Sequence, residues 1–559
     1  MKSDIEIAQE AKVQNIVDIA KKIGLSADDL EQFGKYVAKV PLDVLDRIGK
    51  DKKNGKLILV TAVTPTPAGE GKTVTTISLI QGLSAIGKNV VGALREPSMG
   101  PTFGVKGGAT GGGNVQVYPM WKIDLEFTGD IHAVAAAHNL LSAVLENNLV
   151  RDNPLNIDPT RIVWKKTVDM NCRELRKIIV GLGDGKLNAG VPHESGYLIT
   201  SASEISAILA LSKDYADLRK RLERIVVAYT YDKKPVTAGQ LGCVGAMMVI
   251  LREALMPNLV QTLEGQPVFI HGFPFANIAH GNNSIIATKA AVKLGDYAVT
   301  EGGFAADLGA EKFMDIVCRQ SDIRPDCVVI VATVRALMHH GGADVKDPST
   351  LTTEALERGF ANLDKHIENM RSYGAPVIVS INHFAFDDPA HMNMIRKHCE
   401  KMGVEVAQND GFLEGGKGAV ELAEKVVKIV DSTKTDFKFC YPDDAPVKEK
   451  IKAVATKIYG ADDVVYSAAA EQSLKALEEQ GYGKLPICIA KTQYSISDKA
   501  DLRGAPKGWK LEVREVNLSA GAGFIIPVCG AIMLMPGLGK VPAAMNIDLT
   551  DDGKIIGLH

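Results

Sequence analysis

The sequence predicts an α/β protein built on a parallel sheet. Apolar runs of strand length recur between longer helical patterns. Their apolar residues are continuous rather than alternating, which is typical of strands covered on both faces. The expected strands are residues 57–63, 90–94, 328–334, 377–381 and 486–490. Amphipathic patterns over residues 207–227 and 420–430 predict helices that cover such a sheet.

Length and composition fit a multidomain globular protein. At roughly 150 residues per domain, 559 residues correspond to about three to four domains. With 46% apolar and 23% charged residues, the chain is neither largely disordered nor collagen-like nor a coiled coil. The 64 basic and 67 acidic residues leave no positive excess for nonspecific binding of nucleic acid, whereas a small anion needs only a local positive site.

Cysteine usage and the N-terminal residues predict a cytoplasmic protein. None of the eight cysteines is part of a CxxC pair and none of the 12 histidines lies in an HExxH pattern, so we expect neither a zinc site nor a disulfide framework. The first residues carry acids where a targeting peptide would be basic. The uncharged stretch 518–539 is long enough to span a bilayer, but its glycines and prolines favour buried strands and turns, and we expect no membrane span.

The strongest local signal is a strand, a tight loop and a helix start, which together predict a phosphate-binding loop. The expected ATP-binding residues are Thr66, Pro67, Ala68, Gly69, Glu70, Gly71, Lys72 and Thr73. The two glycines would let backbone amides approach phosphate oxygens, and Lys72 would bridge the outer phosphates. Thr73 would offer its hydroxyl to Mg²⁺. Thr66 stands where the usual pattern has its first glycine, and a glycine turn with a solvated lysine is the alternative interpretation.

Two further candidate segments follow the next predicted strand. Arg95 and Glu96 come directly after it and are expected at the same edge of the sheet as Lys72, because ligands bind beyond the carboxyl ends of parallel strands. Arg95 could grip a carboxylate or a phosphate by two hydrogen bonds, the alternative being a surface Arg–Glu pair. Five glycines within residues 107–113, beside Lys106, favour either a lid or anion nest or a plain mobile loop.

Along nearly its whole length the chain resembles the formate–tetrahydrofolate ligase family. Several long motifs in the right order carry the resemblance. They are Thr64-Pro-Thr-Pro-Ala-Gly-Glu-Gly-Lys-Thr73, Arg95-Glu-Pro-Ser-Met-Gly-Pro101, the glycine loop, Phe127-Thr-Gly-Asp-Ile-His-Ala133, Val331-Ala-Thr-Val-Arg-Ala-Leu-Met-His-His-Gly-Gly342, Lys491-Thr-Gln-Tyr-Ser-Ile-Ser-Asp498 and Ala520-Gly-Ala-Gly-Phe-Ile-Ile-Pro527. Such a series is far more specific than one phosphate loop.

The resemblance implies an activity and its participants. The reaction would be ATP-dependent formylation of tetrahydrofolate at N10 through formyl phosphate, giving 10-formyltetrahydrofolate, ADP and phosphate. The enzyme would be monofunctional and homotetrameric, and would use Mg²⁺ with ATP. Lys72, Arg95 and Glu96 are the expected catalytic residues: alignment and charge neutralisation are what phosphoryl transfer needs most.

Other site residues are carried over from matching motifs. Glu96 and Asp130 match carboxylates near the intermediate and imply a monovalent cation, K⁺ or NH₄⁺, with structural carboxylates as the alternative. Phe384 lies in a segment that resembles the folate-contacting loop, which implies stacking on the pterin; a buried core aromatic is the alternative. Phe412 stands where the family often has tryptophan and can stack with a smaller face. The other departures from the family pattern are Ala385, Thr110 and Asn114.

Two other functions stay open at this point, and the domain limits are hypotheses. One alternative is an NTP-driven switch or partitioning ATPase, and the other is a carboxylate-activating ligase that uses a different amine. We expect a phosphate-loop domain over residues 1–360 with a helical excursion near 140–235. A second α/β domain over 361–455 would contribute the folate site, and a C-terminal α/β domain over 456–559 would contribute to the cleft that binds nucleotide and folate.

Overall fold

The computed structural model describes residues 2–67, 69–104, 108–183, 189–530 and 532–558, and it confirms the α/β fold class. Twelve strands form one large sheet. In chain order they are β1 (Glu31–Gln32), β2 (Ala38–Lys39), β3 (Lys56–Ala62), β4 (Val90–Leu94), β5 (Gly111–Gly112), β6 (Val115–Tyr118), β7 (Asn258–Thr262), β8 (Pro267–Ile270), β9 (Tyr297–Glu301), β10 (Cys327–Ala332), β11 (Val377–Asn382) and β12 (Glu405–Asn409).

The centre of this sheet is parallel. Its spatial order is β1-β2-β7-β8-β4-β9-β3-β10-β11-β12, and β6 pairs with both β7 and β5. All neighbours from β8 to β12 in this order run parallel, whereas the pairs on the other side of β8 are antiparallel. The carboxyl ends of β4, β9, β3, β10, β11 and β12 therefore share one edge. Residues from distant parts of the chain meet along it.

Four of the five predicted strands are confirmed, as β3, β4, β10 and β11. The fifth, residues 486–490, forms only two isolated bridges, at Ile487 and Ala490, beside the strand Phe524–Cys529. Backbone bonds flank the gap: Cys488 N–H donates to Ile525 and Ala490 N–H donates to Pro527. Proline has no N–H, so Pro527 cannot donate to the carbonyl between them and the ladder is interrupted.

Helices cover both faces of the sheet. They are Asp4–Glu10, Ile16–Lys22, Leu42–Gly49, Lys72–Ala85, Met99–Gly104, Met120–Ile123, Asp130–Val150, Glu204–Leu211, Tyr215–Glu223, Ala238–Leu241, Val244–Ile250, Ile285–Leu294, Cys318–Gln320, Val334–His340, Thr353–Ser372, Pro389–Lys401, Gly411–Glu414, Val420–Ser432, Val447–Ala453 and Ala468–Glu479. One face packs on Lys72–Ala85 and Val420–Ser432, and the opposite face packs on Thr353–Ser372. Because both faces are buried, the central strands need continuous apolar residues.

Smaller sheets lie outside the large one. Their strands are Ile157–Ile162, Lys166–Val168, Ile178–Val180, His193–Ser195, Tyr197–Ile199, Val226–Thr230, Pro235–Thr237, Asp463–Tyr466, Lys510–Ser519, Phe524–Cys529, Asp548–Leu549 and Ile555–Ile556. Residues 140–235, expected as a helical excursion, thus contain strands as well as helices. The expected helix 207–227 is two helices followed by the strand Val226–Thr230, whereas 420–430 is helical as predicted.

Two observations bear on the predicted domain limits and on the apolar C-terminal stretch. Residue 360 lies inside the helix Thr353–Ser372, and β11 and β12 extend the large sheet beyond it. The three-part division stays a prediction. The stretch 518–539 contains the end of the strand Lys510–Ser519 and all of its antiparallel partner Phe524–Cys529, as its glycines and prolines predict. Among the helices of the described ranges, none has the length and apolar character needed to cross a bilayer.

Candidate active site

The predicted phosphate loop connects β3 to the helix Lys72–Ala85. Gly69 and Gly71 have φ values of 80° and 68°, in the left-handed region that favours glycine. A Cβ atom at Gly71 would lie 2.1 Å from Nδ2 of Asn382, which ends β11. The backbone conformation therefore favours glycine at this position, and a larger residue would also displace the Asn382 side chain. Ala68 lies outside the described residues.

Glu70 turns inward and ties the loop to two neighbouring strands. Its Oε1 accepts a hydrogen bond from Thr66 N–H at 2.6 Å, and its Oε2 accepts one from the Thr333 hydroxyl at 2.8 Å. Its backbone carbonyl accepts from Asn382 Nδ2 at 3.2 Å. Burial raises the pKa of Glu70, and the hydrogen bonds from Thr66 and Thr333 oppose the shift. The side chain of Glu70 thus holds the backbone of Thr66, the residue that replaces the usual first glycine.

Three predicted site residues converge on Glu301, a residue that the sequence reasoning missed. Lys72 Nζ donates to Glu301 Oε2 at 2.5 Å, and the Thr73 hydroxyl donates to the same oxygen at 3.0 Å. Arg95 Nε lies 3.9 Å from Glu301 Oε1. The Glu301 side chain is 1% exposed. Burial alone would raise the pKa of Glu301, but Lys72 and Arg95 outweigh it and hold this pKa below its ordinary value.

Arg95 keeps hydrogen-bonding capacity for a ligand. Its Nη1 donates to the Pro274 carbonyl at 3.2 Å, and a Cβ atom at Gly303 would lie 3.2 Å from Nη1. Its buried Nε has no hydrogen-bond partner among the described residues. A guanidinium carries five donors, so Arg95 is suited to a planar carboxylate that arrives at this edge.

Glu96 points to a different group, at the start of the helix Asp130–Val150. Burial, and next the nearby Asp130, raise the pKa of Glu96 well above its ordinary value, and its Oε2 has no partner among the described residues. Asp130 accepts hydrogen bonds from Lys39 Nζ at 2.7 Å and from Asn258 Nδ2 at 2.8 Å. The free buried oxygen of Glu96 fits a cation or a proton, while Lys39 already balances the charge of Asp130.

The two predicted folate aromatics follow neighbouring strands. Phe384, after β11, is half-buried and stacks on Phe386, with ring centroids 5.5 Å apart and 14° between the ring planes. Phe386 is 68% exposed. Phe412, after β12, lies against the glycine loop, since a Cβ atom at Gly113 would be 3.0 Å from its ring. Aromatic side chains therefore border the same edge of the sheet as Lys72, two and three strands away from β3.

A sequence model of the formate–tetrahydrofolate ligase family matches residues 2–559. The chain belongs to this family. It is therefore a ligase of one-carbon metabolism that joins formate to tetrahydrofolate, as the sequence predicted. An NTP-driven switch, the first alternative, is not expected to match a ligase family over essentially the whole chain.

Two departures of the ligase from its family pattern have partners in the structure. The Thr110 hydroxyl donates to Asp124 at 2.9 Å, and Asn114 Nδ2 donates to the Leu413 carbonyl at 2.6 Å. Asn114 N–H also donates to the Phe412 carbonyl. Asn114 thus fastens the glycine-loop turn to the segment that carries Phe412, whereas Thr110 ties the same turn to Asp124. Lys106 and Gly107 lie outside the described residues.

Sequence reasoning could have found Glu301 from one local signal. Residues 297–299 are apolar, and after Thr300 a single acid, Glu301, precedes Gly302 and Gly303. An acid that ends a buried strand lies at the edge where parallel sheets bind ligands. The Thr73 hydroxyl and the Glu301 carboxylate are hard oxygen donors, which suit Mg²⁺. The residues present therefore fit a nucleotide-bound divalent cation.

Proposed function

We propose that the ligase activates formate with ATP as formyl phosphate and then transfers the formyl group to N10 of tetrahydrofolate. The products are 10-formyltetrahydrofolate, ADP and phosphate. One observation supports this proposal most strongly. Lys72, Thr73 and Arg95 converge on the buried carboxylate of Glu301, beside the predicted phosphate loop. A triphosphate and a small carboxylate could meet there.

The chemistry explains why both ligands are needed. Formate is a poor acyl donor because oxide or hydroxide is a poor leaving group. Attack of a formate oxygen on the γ-phosphorus forms a C–O–P bond and releases ADP. Attack of N10 on the formyl carbon then breaks the C–O bond, so that phosphate leaves and the amine loses its proton. Both steps concentrate negative charge, which buried cations stabilise more strongly than exposed ones.

Residues at this edge take distinct parts in the proposal. The loop amides and Lys72 hold the outer phosphates, and Arg95 orients formate and then the acyl phosphate. When bound with ATP, Mg²⁺ supplies further neutralisation of the phosphate charge. Phe384 and Phe412 border the place where the pterin would lie. Glu96, beside Asp130, holds a proton or a monovalent cation, K⁺ or NH₄⁺, near the intermediate.

The wider predictions belong to the same proposal. We infer a cytoplasmic homotetramer from the family to which the chain belongs. We also propose that residues 361–455 contribute the folate site, because Phe384 and Phe412 lie in that range. Residues 456–559 would border the cleft.

Release of ADP tests the reaction. The unsubstituted enzyme is incubated with ATP, Mg²⁺, formate and one amine from a panel that includes tetrahydrofolate. We expect ADP release to require formate and tetrahydrofolate together. Acetate in place of formate, and aniline or glycine in place of tetrahydrofolate, serve as controls. Equal turnover with another amine would favour the alternative carboxylate-activating ligase, and turnover without ADP formation would exclude ATP as the activating reagent.

A further inference from the structure

Glu301 is a buried carboxylate at the centre of the candidate site, and no step of the proposed chemistry uses it. It ends β9, which lies between β4 and β3 in the sheet. Thr300 pairs with residues of both neighbours, so the strand order fixes Glu301 between Arg95 and Lys72. A carboxylate that is 1% exposed is costly unless its charge is matched. Here the charges of Lys72 and Arg95 match the charge of Glu301.

The direction of one hydrogen bond prepares Thr73 for a metal ion. The Thr73 hydroxyl donates its proton to Glu301 at 3.0 Å. The lone pairs of the hydroxyl oxygen are therefore turned away from Glu301 and are free to face a cation. Groups that accept a hydrogen bond from a metal ligand in this way fix its orientation and raise its basicity.

The bond from Lys72 has the opposite consequence. Lys72 Nζ is 2.5 Å from Glu301, so the ammonium that should bridge the outer phosphates is already engaged. A phosphate group without a metal ion must take Lys72 from Glu301 and lie near a carboxylate that Arg95 alone then offsets. A divalent cation that arrives with the phosphates removes this conflict, because it offsets the charge of Glu301 as Lys72 moves to the phosphates.

We infer that Glu301 is the residue that couples nucleotide binding to the divalent cation, by orienting the Thr73 hydroxyl toward the metal and exchanging Lys72 for it. This inference rests on the proposed use of ATP. It makes Glu301 a positioning residue for Thr73 and a counter-ion for Lys72. A purely structural counter-ion would stabilise the fold but would leave the metal dependence of nucleotide binding unchanged.

Calorimetry of ATP binding, in the absence of formate and tetrahydrofolate, tests the inference without turnover. Each protein is titrated with ATP twice, once in the presence of EDTA and once in the presence of Mg²⁺. For the unsubstituted enzyme we expect Mg²⁺ to tighten binding about tenfold or more, the scale of a charge-assisted contact. In Glu301→Gln we expect metal-free ATP to bind several-fold more tightly than in the unsubstituted enzyme, and the gain from Mg²⁺ to fall below about threefold.

Asp326→Asn provides the matched control. Asp326 pairs with Lys56 at the opposite end of β3, with Nζ and Oδ1 3.1 Å apart. Each variant removes the carboxylate charge that faces one lysine, Lys56 at the start of β3 or Lys72 at the start of the helix that follows it. We expect Asp326→Asn to bind ATP as tightly as the unsubstituted enzyme does, with and without Mg²⁺. Circular dichroism shows whether each variant is folded.

Several results would overturn the inference. Glu301→Gln could retain the full gain from Mg²⁺, or could bind metal-free ATP more weakly than the unsubstituted enzyme. Should Glu301→Gln not fold, Thr73→Val decides: loss of the Mg²⁺ gain with unchanged metal-free affinity supports the inference, and a retained gain contradicts it. If the unsubstituted enzyme binds no ATP under either condition, the proposed use of ATP is itself wrong.

Discussion

Two lysine–carboxylate pairs lie at opposite ends of β3, and one of them is part of the candidate active site. At the amino end, Lys56 pairs with Asp326 and the two side chains are 43% and 30% exposed. At the carboxyl end, Lys72 pairs with Glu301 and the two side chains are 12% and 1% exposed. The same two chemical groups thus experience different surroundings. The exposed pair is screened by water, and the buried pair is not.

The difference shows what marks a functional charge in this fold. A cavity of about 780 Å³ opens beside Lys56 at the amino edge, lined by several lysines. The presence of a cavity alone would suggest a site there. At the carboxyl edge, buried charges converge from three neighbouring strands and loops, and each depends on the others to remain charged. The convergence of buried charges, rather than cavity size, therefore identifies the candidate active site.

Substitution of Lys72 should have the largest effect. We expect Lys72→Ala to lower kcat/KM by about a thousandfold or more, because a buried cation stabilises the charge of the transferring phosphoryl group. ADP release under saturating formate and tetrahydrofolate measures it. The variant should remain folded by circular dichroism, and an activity within tenfold of the unsubstituted enzyme would remove Lys72 from the mechanism.

Arg95→Lys should be the next most severe change. It keeps the positive charge but loses the planar fork that can hold a carboxylate by two bonds. We expect the KM for formate to rise by about thirty- to a hundredfold, which corresponds to about 2–3 kcal/mol, with a small change in the KM for ATP. Initial rates at varied formate and varied ATP separate the two. A rise in the KM for ATP alone would place Arg95 on the nucleotide instead.

Gly71→Ala tests the close approach of Asn382 to the loop. The added Cβ atom would lie 2.1 Å from Asn382 Nδ2 at a residue whose φ is 68°. We expect kcat/KM to fall about ten- to a hundredfold, since steric displacement adds to a backbone cost of about 1–2 kcal/mol. Gly87→Ala is the matched control: its φ is 77°, and an added Cβ atom there would meet no other atom within 4 Å. Its activity should stay within about twofold. Equal losses in both variants would contradict the steric argument.

Glu204 is a buried carboxyl group whose pKa predicts a pH-dependent contribution to stability. It accepts hydrogen bonds from the N–H groups of Gly521, at 2.6 Å, and Ala522, at 3.3 Å. Burial raises the pKa of Glu204 to about 7, from an ordinary value of 4.5. The folded protein therefore binds this proton more tightly than the unfolded chain. The stabilisation is complete below pH 4.5 and is lost as the pH rises to about 7.

The variant Glu204→Gln isolates this contribution. We expect the midpoint of thermal unfolding of the unsubstituted enzyme to fall by about a few degrees more than that of the variant between pH 5 and pH 8. Scanning calorimetry at several pH values measures the difference. Parallel profiles for the two proteins would show that Glu204 does not titrate in this range.

Lys56→Ala should have the smallest effect and completes the comparison with Lys72. An exposed ion pair contributes about 0–1 kcal/mol to stability. We therefore expect the free energy of unfolding, measured in urea, to change by no more than this. ADP release should stay within about twofold of the unsubstituted enzyme, since Lys56 lies at the edge opposite the phosphate loop. A large loss of activity would mean that the two ends of β3 are coupled.

Local patterns predicted more of the fold than of the site. The loop around Gly71 follows a strand and precedes a helix in one continuous segment, so its role could be inferred from neighbouring residues. Thr66 is visible in the sequence as a departure, but the reason for it lies in Glu70, whose inward rotation depends on Thr333 from another strand. The failure of 486–490 to form a regular strand depends on Pro527, a residue of its partner.

The sequence by itself determined the α/β class, the strand and the helix on either side of the predicted phosphate loop and, through its motifs, the ligase family, since these depend on residues close together in the chain or on their order. Only the tertiary structure decided that Glu301 lies against Lys72, 229 positions away. That contact exists because β9 pairs between β4 and β3. Strand order results from packing the whole sheet between its helices, and no local pattern specifies it.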